Sequence, residues 1–379
     1  MVCKEEVGLE RVRGLFANLS PARWLALLFV TVLGLHAPNA RSTPSTEAGT
    51  LRVLAWPGYA EPEVVSSFEA RTGTRVAVTV IDTDEALWQR IGEAEHNPRG
   101  GYDVFAVNTA ELQRHIASNR VQAIQVDLIR NVQNQLPRFR KLSGIPGLVR
   151  SGPRGEQVFG IPYTYSAMGL IYDKRQWPQP PQSVQALWDP ALQGKVVIYN
   201  GGTHNFSLAA QSLGWATPFR IPEGQWQAAA EQLIALRRNA VSVYRQPEES
   251  VRLFMRHHAA LMFANYGMQQ VQLLRAAGAD IGYVIPREGA LAWLDCWAIP
   301  RNARNVALAH AWIDHLLGPQ ASQLLVTRQG LHSTVAEAST PAGSAQQLLW
   351  LAPVEDAPRR ERLWSRIHSG DRLGKVMAP

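Results

Sequence analysis

The sequence has little cysteine, with only two such residues among 379. Cys3 lies near the start and Cys296 lies in an apolar stretch far downstream, so a chain that loses its leader keeps one thiol. A single thiol cannot form an internal disulfide, which excludes a disulfide-stapled scaffold. Because its neighbours are apolar, we expect Cys296 to be buried and inert. A catalytic Cys/His pair is the alternative.

Motifs of catalysis are also absent. The sequence contains no G-x-S-x-G, H-E-x-x-H or C-x-x-C pattern, and Gly201-Gly202 lacks the lysine that a phosphate-binding loop supplies. His310, Asp314 and His315 have near-helical spacing but stand among the apolar residues of an amphipathic helix. The formal net charge is +7, yet no block of basic residues is interleaved with aromatics. We therefore expect no enzyme activity, cofactor, metal site or nucleic-acid partner.

The apolar run near the start of the chain is too short for a permanent membrane span. Arg23 precedes the charge-free segment Trp24–Leu35, whose twelve residues suit the core of a secretory signal. We predict that residues 1–40 are a cleaved signal peptide, that residues 41–50 form a polar linker, and that the mature protein is exported. An uncleaved signal anchor is the alternative.

What the sequence does contain is a regular alternation of strands and helices. This pattern implies an α/β layer around a mostly parallel sheet, with ligands at the carboxyl ends of the strands. We expect Asp82 or Asp84 to cap the second helix. The first predicted elements are strands at Leu51–Trp56, Arg75–Val80 and Tyr102–Val107, and helices at Glu61–Thr72 and Asp84–Ala94.

A second α/β unit follows, joined to the first by the apolar strand Phe159–Asp173, whose Pro162 suits an edge or a bend between lobes. We predict lobe 1 at residues 51–158 and 286–340, and lobe 2 at residues 159–285 with crossover strands at both ends. Residues 341–379 are predicted to form a C-terminal tail that packs on the lobes. The elements predicted in and after lobe 2 are helices at 184–188, 206–213, 224–238, 247–257, 268–276 and 303–317, and strands at 195–199, 241–244, 260–264 and 281–284.

The stretch Gly289–Pro300 carries one carboxylate, Asp295, between Trp293 and Trp297 in an otherwise apolar run. In a strand these three side chains share one face. A carboxylate beside aromatic rings can hold an ammonium ion by ion pairing, hydrogen bonding and cation–π attraction. We therefore interpret Asp295 as the centre of a ligand site. The alternatives are an Asp that caps a turn or pairs with an internal arginine, and tryptophans that belong to the core.

An ordered set of motifs runs from about Leu51 to His332. In this order the motifs resemble those of the periplasmic spermidine/putrescine-binding proteins, the substrate-capturing components of ABC importers. The resemblance implies a two-lobed periplasmic-binding-protein type II fold whose lobes close on a linear polyamine, with an inner-membrane ABC permease as partner. The motifs are Ala55-Trp56-x-x-Tyr59, Tyr102-Asp103-Val104, Phe159-Gly160-Ile161-Pro162-Tyr163, Leu187-Trp188-Asp189-Pro190-x-x-x-Gly194-Lys195-Val196 and Glu288-Gly289-x-x-x-Trp293-x-Asp295-x-x-Ala298-Ile299-Pro300.

The resemblance also implies which residues bind the ligand. In that family an aromatic pair in the first loop lines the cleft, and an aromatic followed two residues later by Asp holds an amino group. Other candidates come from loops that follow strands or from positions that align with cleft residues of the family. The candidate ligand-binding residues are Trp56, Tyr59, Asn108, His204, Phe263, Tyr266, Trp293 and Asp295.

The sequence departs from the family where a second amine would be held. The loop at residues 200–205 has no acidic residue, although the family usually places carboxylates there. We therefore hypothesise that Asp295 holds one ammonium and that the other end of the ligand meets a neutral surface of Asn200, Thr203 and His204. A monoamine, an acylated polyamine, an amino-acid derivative or an opine-like compound would suit such a site.

The function predicted from these observations is that of a monomeric transport receptor for a polyamine or related small cationic amine. The alternative is an exported sensor for an amino-acid-derived or opine-like amine, because its sequence would look the same.

Overall fold

The computed structural model describes residues 49–96, 101–152, 155–336 and 348–378. The predicted signal peptide, and most of the predicted linker, lie outside these ranges. No helix in the described ranges is both long enough and apolar enough to cross a bilayer.

The strands of the structure are short and alternate with helices along most of the chain. In chain order they are β1 Thr50–Ala55, β2 Arg75–Val80, β3 Val104–Asn108, β4 Val121–Gln122, β5 Val149–Gly152, β6 Gly155–Val158, β7 Ile161–Met168, β8 Leu170–Asp173, β9 Val196–Tyr199, β10 Ala240–Tyr244, β11 Leu261–Phe263, β12 Ile281–Val284, β13 Ala290–Pro300, β14 His332–Ser333 and β15 Leu348–Trp350.

The α-helices lie between these strands and in the C-terminal tail. In chain order they are α1 Pro62–Thr72, α2 Asp84–His96, α3 Thr109–Ala117, α4 Pro137–Arg140, α5 Gly202–Ser212, α6 Trp226–Asn239, α7 Pro247–Arg256, α8 Met268–Ala276, α9 Val306–Leu316, α10 Pro319–Gln329, α11 Ala357–His368 and α12 Leu373–Val376. The predicted helix at 184–188 is a short 3₁₀ helix, Val184–Trp188.

The two lobes are defined by two sheets. The first lobe contains the sheet β14-β7-β13-β3-β1-β2, to which β4 and β15 add by pairing with β13. The second lobe contains the sheet β10-β9-β11-β8-β12. This architecture confirms the predicted two-lobed α/β fold, while the predicted bounds of the lobes stay a prediction.

Both sheets are mixed, so the expectation of a mostly parallel sheet was wrong. Strands β1, β2 and β3 pair in parallel, as helical crossovers require. The central strand β13, however, runs antiparallel to both β3 and β7. Strand β8 likewise runs antiparallel to β11 and β12. The reason is that β7, β8 and β13 belong to the segments that pass between the lobes and enter each sheet in the reverse direction.

The predicted long strand Phe159–Asp173 is divided at Gly169. Strand β7, on one side, pairs in the first lobe, and β8, on the other, pairs in the second. A Cβ atom on Gly169 would lie 2.6 Å from the carbonyl oxygen of Val284 and 2.7 Å from the ring of Tyr283. Glycine is therefore required where the two crossing segments touch. The bend is at this glycine, and Pro162 instead faces a register shift after Asp295.

The C-terminal tail contacts both lobes. Strand β15 adds to the first sheet beside the start of β13, with Leu349 opposite Leu291. Helix α11 then packs on α5 and α6 of the second lobe. The segment at residues 351–356 is therefore a third link between the lobes, in addition to Gly169 and the link between β12 and β13.

Candidate functional site

A small cavity lies between the lobes, next to the middle of β13. Its volume is about 40 Å³, so the space between the lobes is narrow. Its walls consist of aromatic rings, two carboxyl groups, two amides and one imidazole. The lining residues are Trp56, Tyr59, Asp84, Asn108, Tyr199, His204, Asn265, Tyr266, Trp293, Asp295 and Leu351.

Asp295 lies near the middle of β13, between β3 and β7. Its cross-strand partners are Asn108 on β3 and Thr164 on β7. The residue is 5% exposed, although it carries a carboxyl group. In the described part of the chain its hydrogen-bond donor is Tyr59, whose Oη lies 2.7 Å from Oδ2, and it forms no ion pair with a lysine, arginine or histidine. Asp295 is therefore a buried acid without a cationic partner in the described ranges.

Tyr59 reaches Asp295 because of the tight turn after β1. The turn is closed by a hydrogen bond from the Tyr59 amide to the Trp56 carbonyl oxygen, and Gly58 has a φ of 80°, which favours glycine. Burial, with the nearby carboxyl of Asp295, raises the pKa of Tyr59 well above its usual range. The hydroxyl therefore keeps its proton and can donate it in a hydrogen bond to the carboxylate. Trp56 lines the cavity from the same turn.

Burial changes the protonation of Asp295 itself. Loss of water raises the pKa of this carboxyl to about 8, against a smaller opposing effect of the hydrogen bond from Tyr59. At neutral pH the ligand-free site therefore holds a proton in place of a cation. A bound ammonium ion would restore the carboxylate, because an opposite charge in contact favours the ionised form.

A second carboxyl group, that of Asp84, lines the same cavity from the first turn of α2. The predicted cap was wrong, because the side chain that caps this helix is that of Thr83, whose Oγ1 accepts a hydrogen bond from the Ala86 amide at 3.1 Å. The carboxyl of Asp84 is thereby left for other partners. Its Oδ1 accepts a hydrogen bond from Asn108 Nδ2 at 3.0 Å. Burial raises the pKa of Asp84, and nearby Glu361 adds to the effect.

The second lobe contributes His204, Asn265, Tyr199 and Tyr266 to the cavity. His204 is in the first turn of α5, and its Nδ1 lies 2.8 Å from Asn265 Oδ1. Burial lowers the pKa of His204 to about 4, so the imidazole is neutral at physiological pH. Its Nε2 lies 3.4 Å from Asp84 Oδ2, across the gap between the lobes.

Several hydrogen bonds join the lobes directly around the cavity. Tyr199 Oη donates to the carbonyl oxygen of Asp82 at 2.8 Å, and Trp293 Nε1 donates to that of Asn265 at 3.1 Å. Gln269 Nε2 donates to the carbonyl oxygen of Pro57 at 3.2 Å. The structure therefore has its lobes in contact on more than one side of the cavity.

The structure brings together most of the residues predicted from the sequence. Seven of the eight line the cavity: Trp56, Tyr59, Asn108, His204, Tyr266, Trp293 and Asp295. Phe263 does not, because it is buried in β11, where its carbonyl oxygen accepts a hydrogen bond from Tyr244. Trp297 also stays in the core, in contact with the rings of Tyr163 and Trp312. Cys296 is buried, as expected.

The neutral surface predicted for the far end of the ligand is not formed as expected. Asn200 accepts a hydrogen bond from Trp364 Nε1 at 2.8 Å, and the Thr203 amide donates to Glu361 at 3.0 Å. Both partners belong to α11, which covers this loop. Of the three residues named for that surface, only His204 lines the cavity.

Four lining residues were missed by sequence reasoning: Asp84, Tyr199, Asn265 and Leu351. Tyr199 ends β9 and Asn265 follows β11, so the rule that places ligands at strand ends could have identified them. Asp84 had been assigned to a helix cap. Leu351 comes from the tail, and no local signal in the sequence points to it.

These observations define a class: a two-lobed binding protein with a small, polar and aromatic cavity between its lobes. Residues 63–348 match the family described as bacterial extracellular solute-binding proteins. The match spans more than half of the chain, so the protein belongs to this family.

Individual relatives agree with this assignment. The chain is 25% identical to the putrescine/agmatine-binding protein of Pseudomonas aeruginosa, over 91% of this chain and 98% of the relative. It is 23% identical to the spermidine/putrescine-binding periplasmic protein of Escherichia coli, over 86% of each chain. Among solved structures, the TpPotD lipoprotein of Treponema pallidum superposes with a TM-score of 0.69 at 18% identity, covering 84% of this chain and 99% of that one. The structural likeness supports the fold.

Proposed function

We propose that this protein is the periplasmic substrate-binding component of an ABC importer for a polyamine or related small cationic amine. One observation carries the proposal: Asp295 is buried at the interlobe cavity without a cationic partner among the described residues. An uncompensated acid at this depth costs several kcal/mol when ionised. An ammonium group of a ligand removes that cost.

The aromatic lining favours the same class of ligand. Trp56, Tyr59 and Trp293 surround the cavity on the side of the first lobe, and Tyr199 and Tyr266 on the other. Ring faces attract a cation and also cover the methylene groups that separate the nitrogens of a polyamine. The names of the relatives, which include putrescine and spermidine, support this chemistry.

Binding would act through the position of the lobes. A ligand that contacts both walls stabilises the closed arrangement relative to an open one, and the permease would recognise the closed protein. We propose that residues 1–40 are a signal peptide that is cleaved on export. We propose that the mature protein is a monomer. The proposed function requires affinity for the ligand and closure of the lobes, and it requires no catalytic step.

Isothermal titration calorimetry with 1,4-diaminobutane and 1-aminobutane tests the proposal. Asp295→Asn should lower affinity for either amine by at least 30-fold, because removing one partner of a buried charge pair costs about 2 kcal/mol or more. The matched control is Asp127→Asn, which makes the same chemical change at an exposed position and should bind like the wild type. Amine binding that is undiminished in Asp295→Asn would contradict the proposal.

A further inference from the structure

A second acid at the cavity, Asp84, forms no hydrogen bond with Asp295 among the described residues. Asp84 enters from α2, and its side chain is 13% exposed. One carboxyl oxygen is held by Asn108 Nδ2 at 3.0 Å. The other, Oδ2, faces the second lobe, where the nearest recorded partner is the imidazole of His204.

The imidazole presents an acceptor to that oxygen. His204 Nδ1 is 2.8 Å from the amide oxygen of Asn265, so Nδ1 carries the hydrogen of the neutral ring. Nε2 then has a lone pair. This atom is buried and has no hydrogen-bond partner among the described residues, and His204 as a whole is 8% exposed.

Two acceptors therefore face each other across 3.4 Å. Such a contact is repulsive unless a hydrogen lies between the two atoms. In the ligand-free protein a proton can fill this position. An ammonium group, with several N–H donors, can satisfy the carboxylate of Asp84 and the lone pair of His204 together.

The second acid is a near neighbour of the first. Asn108 is the cross-strand partner of Asp295, and the same asparagine donates to Asp84. Paired residues in antiparallel strands have Cα atoms about 4.5–5.5 Å apart. Asp295 and Asp84 are thus both neighbours of Asn108, yet each has its own further partner: Tyr59 for Asp295 and His204 for Asp84.

We infer that Asp84 and His204 form a second ammonium subsite, so that the ligand of this protein is a short linear diamine whose two ends bind Asp295 and Asp84. The inference rests on the proposed function and specifies its substrate class. It replaces the hypothesis of a neutral far end, because the second carboxylate comes from α2 of the first lobe and is absent from the loop at residues 200–205. It also gives the ligand a contact with each lobe, since His204 belongs to the second.

The experiment compares two ligands of equal chain length, 1,4-diaminobutane and 1-aminobutane, by isothermal titration calorimetry. The wild type should bind the diamine at least tenfold more tightly. Asp84→Asn should lower diamine affinity by about 30-fold or more and bring it close to the affinity for the monoamine. Glu93→Gln is the matched control: it removes one negative charge from an exposed position of the same helix and should retain the wild-type preference.

A second variant guards against a folding defect. His204→Phe keeps a ring of similar size but removes the acceptor, and it should also weaken diamine binding selectively. Thermal unfolding monitored by circular dichroism should show all variants folded. Equal binding of the two amines by the wild type, or an undiminished preference in both Asp84→Asn and His204→Phe, would overturn the second subsite and leave the amine receptor intact. Failure of the wild type to bind either amine would overturn both.

Discussion

Asp295 is buried and has no cationic partner within the part of the chain that the structure describes, and this combination has a thermodynamic consequence for the ligand-free protein. Its pKa of about 8 lies far above the usual value of an aspartate because water has been removed from the carboxyl. In the unfolded chain the pKa of the same carboxyl is about 4. Between these two values the folded state binds more protons than the unfolded state, so this residue makes stability fall as pH rises.

Asp295→Asn is therefore expected to raise the free energy of unfolding of the ligand-free protein, and to do so more strongly at pH 8 than at pH 5. The gain should grow by about 2 to 4 kcal/mol over this interval, because the amide has no charge to desolvate. Urea denaturation at both pH values measures it. Asp127→Asn serves again as the exposed control and should follow the wild type. A constant offset between Asp295→Asn and wild type at the two pH values would contradict this account.

At the scale of single elements, the crossing between β7 and β8 depends on Gly169. A methyl group there would meet the carbonyl oxygen of Val284 and the ring of Tyr283. Neither can move freely: the oxygen belongs to backbone, and Tyr283 Oη donates to the Ala167 carbonyl oxygen at 2.8 Å.

Gly169→Ala is expected to destabilise the protein by about 1 to 3 kcal/mol, the usual cost of an overpacked site. Differential scanning calorimetry should show a lower Tm. Gly224→Ala is the matched control, because its Cβ would have no atom within 4 Å. Equal Tm values for the two variants would mean that the crossing tolerates a side chain.

Local patterns predicted some elements to the residue. Strand β2, helix α8 and strand β12 have the bounds that periodicity gave, because their apolar spacing and flanking turns agree. Helix α5 begins four residues before its predicted start at 206. Its first turn, which contains glycine, threonine and asparagine, has weak helix propensity, and a contact from α11 holds it at Thr203. Helix α10 was not predicted.

The candidate site was partly predictable for a related reason. Asp295 and Trp293 stand out because polar and aromatic residues in a buried strand are unusual, and Trp56 and Tyr59 follow a recognisable strand. Asp84 could not be distinguished from a helix cap without knowing that Thr83 fills that role. The sheet order was also hidden, because the direction of β13 depends on the crossings between lobes and not on its own residues.

On the scale of the whole molecule, Arg360 fastens the tail to the second lobe. It is fully buried and donates from α11 to Glu355 on one side and to the Thr203 carbonyl oxygen and Ser207 Oγ of α5 on the other. The ion-pair partner Glu355 is exposed, so the groups that depend most on Arg360 are the Thr203 carbonyl oxygen and Ser207 Oγ.

Arg360→Met is expected to lower the free energy of unfolding by about 1 to 3 kcal/mol, because Ser207 Oγ and the Thr203 carbonyl oxygen lose their buried donor, and to expose the tail to proteolysis. Limited trypsin digestion followed by mass spectrometry, together with urea denaturation, measures both effects. Arg362→Met, on the exposed side of the same helix, is the control and should behave as wild type. A tail as protected in Arg360→Met as in wild type would show that the hydrogen bonds from Arg360 to α5 do not hold it.

The tail also sets a geometric limit on how far the two halves can swing apart. Strand β15 is fixed to one half and helix α11 to the other, with residues 351–356 between them. A fully stretched chain advances at most about 3.6 Å per residue, so the distance from Trp350 to Ala357 cannot exceed about 25 Å. A wider opening requires β15 to separate from β13 or α11 to detach from α5 and α6. The length of the tail segment therefore limits the width of the opening through which a ligand enters the cavity.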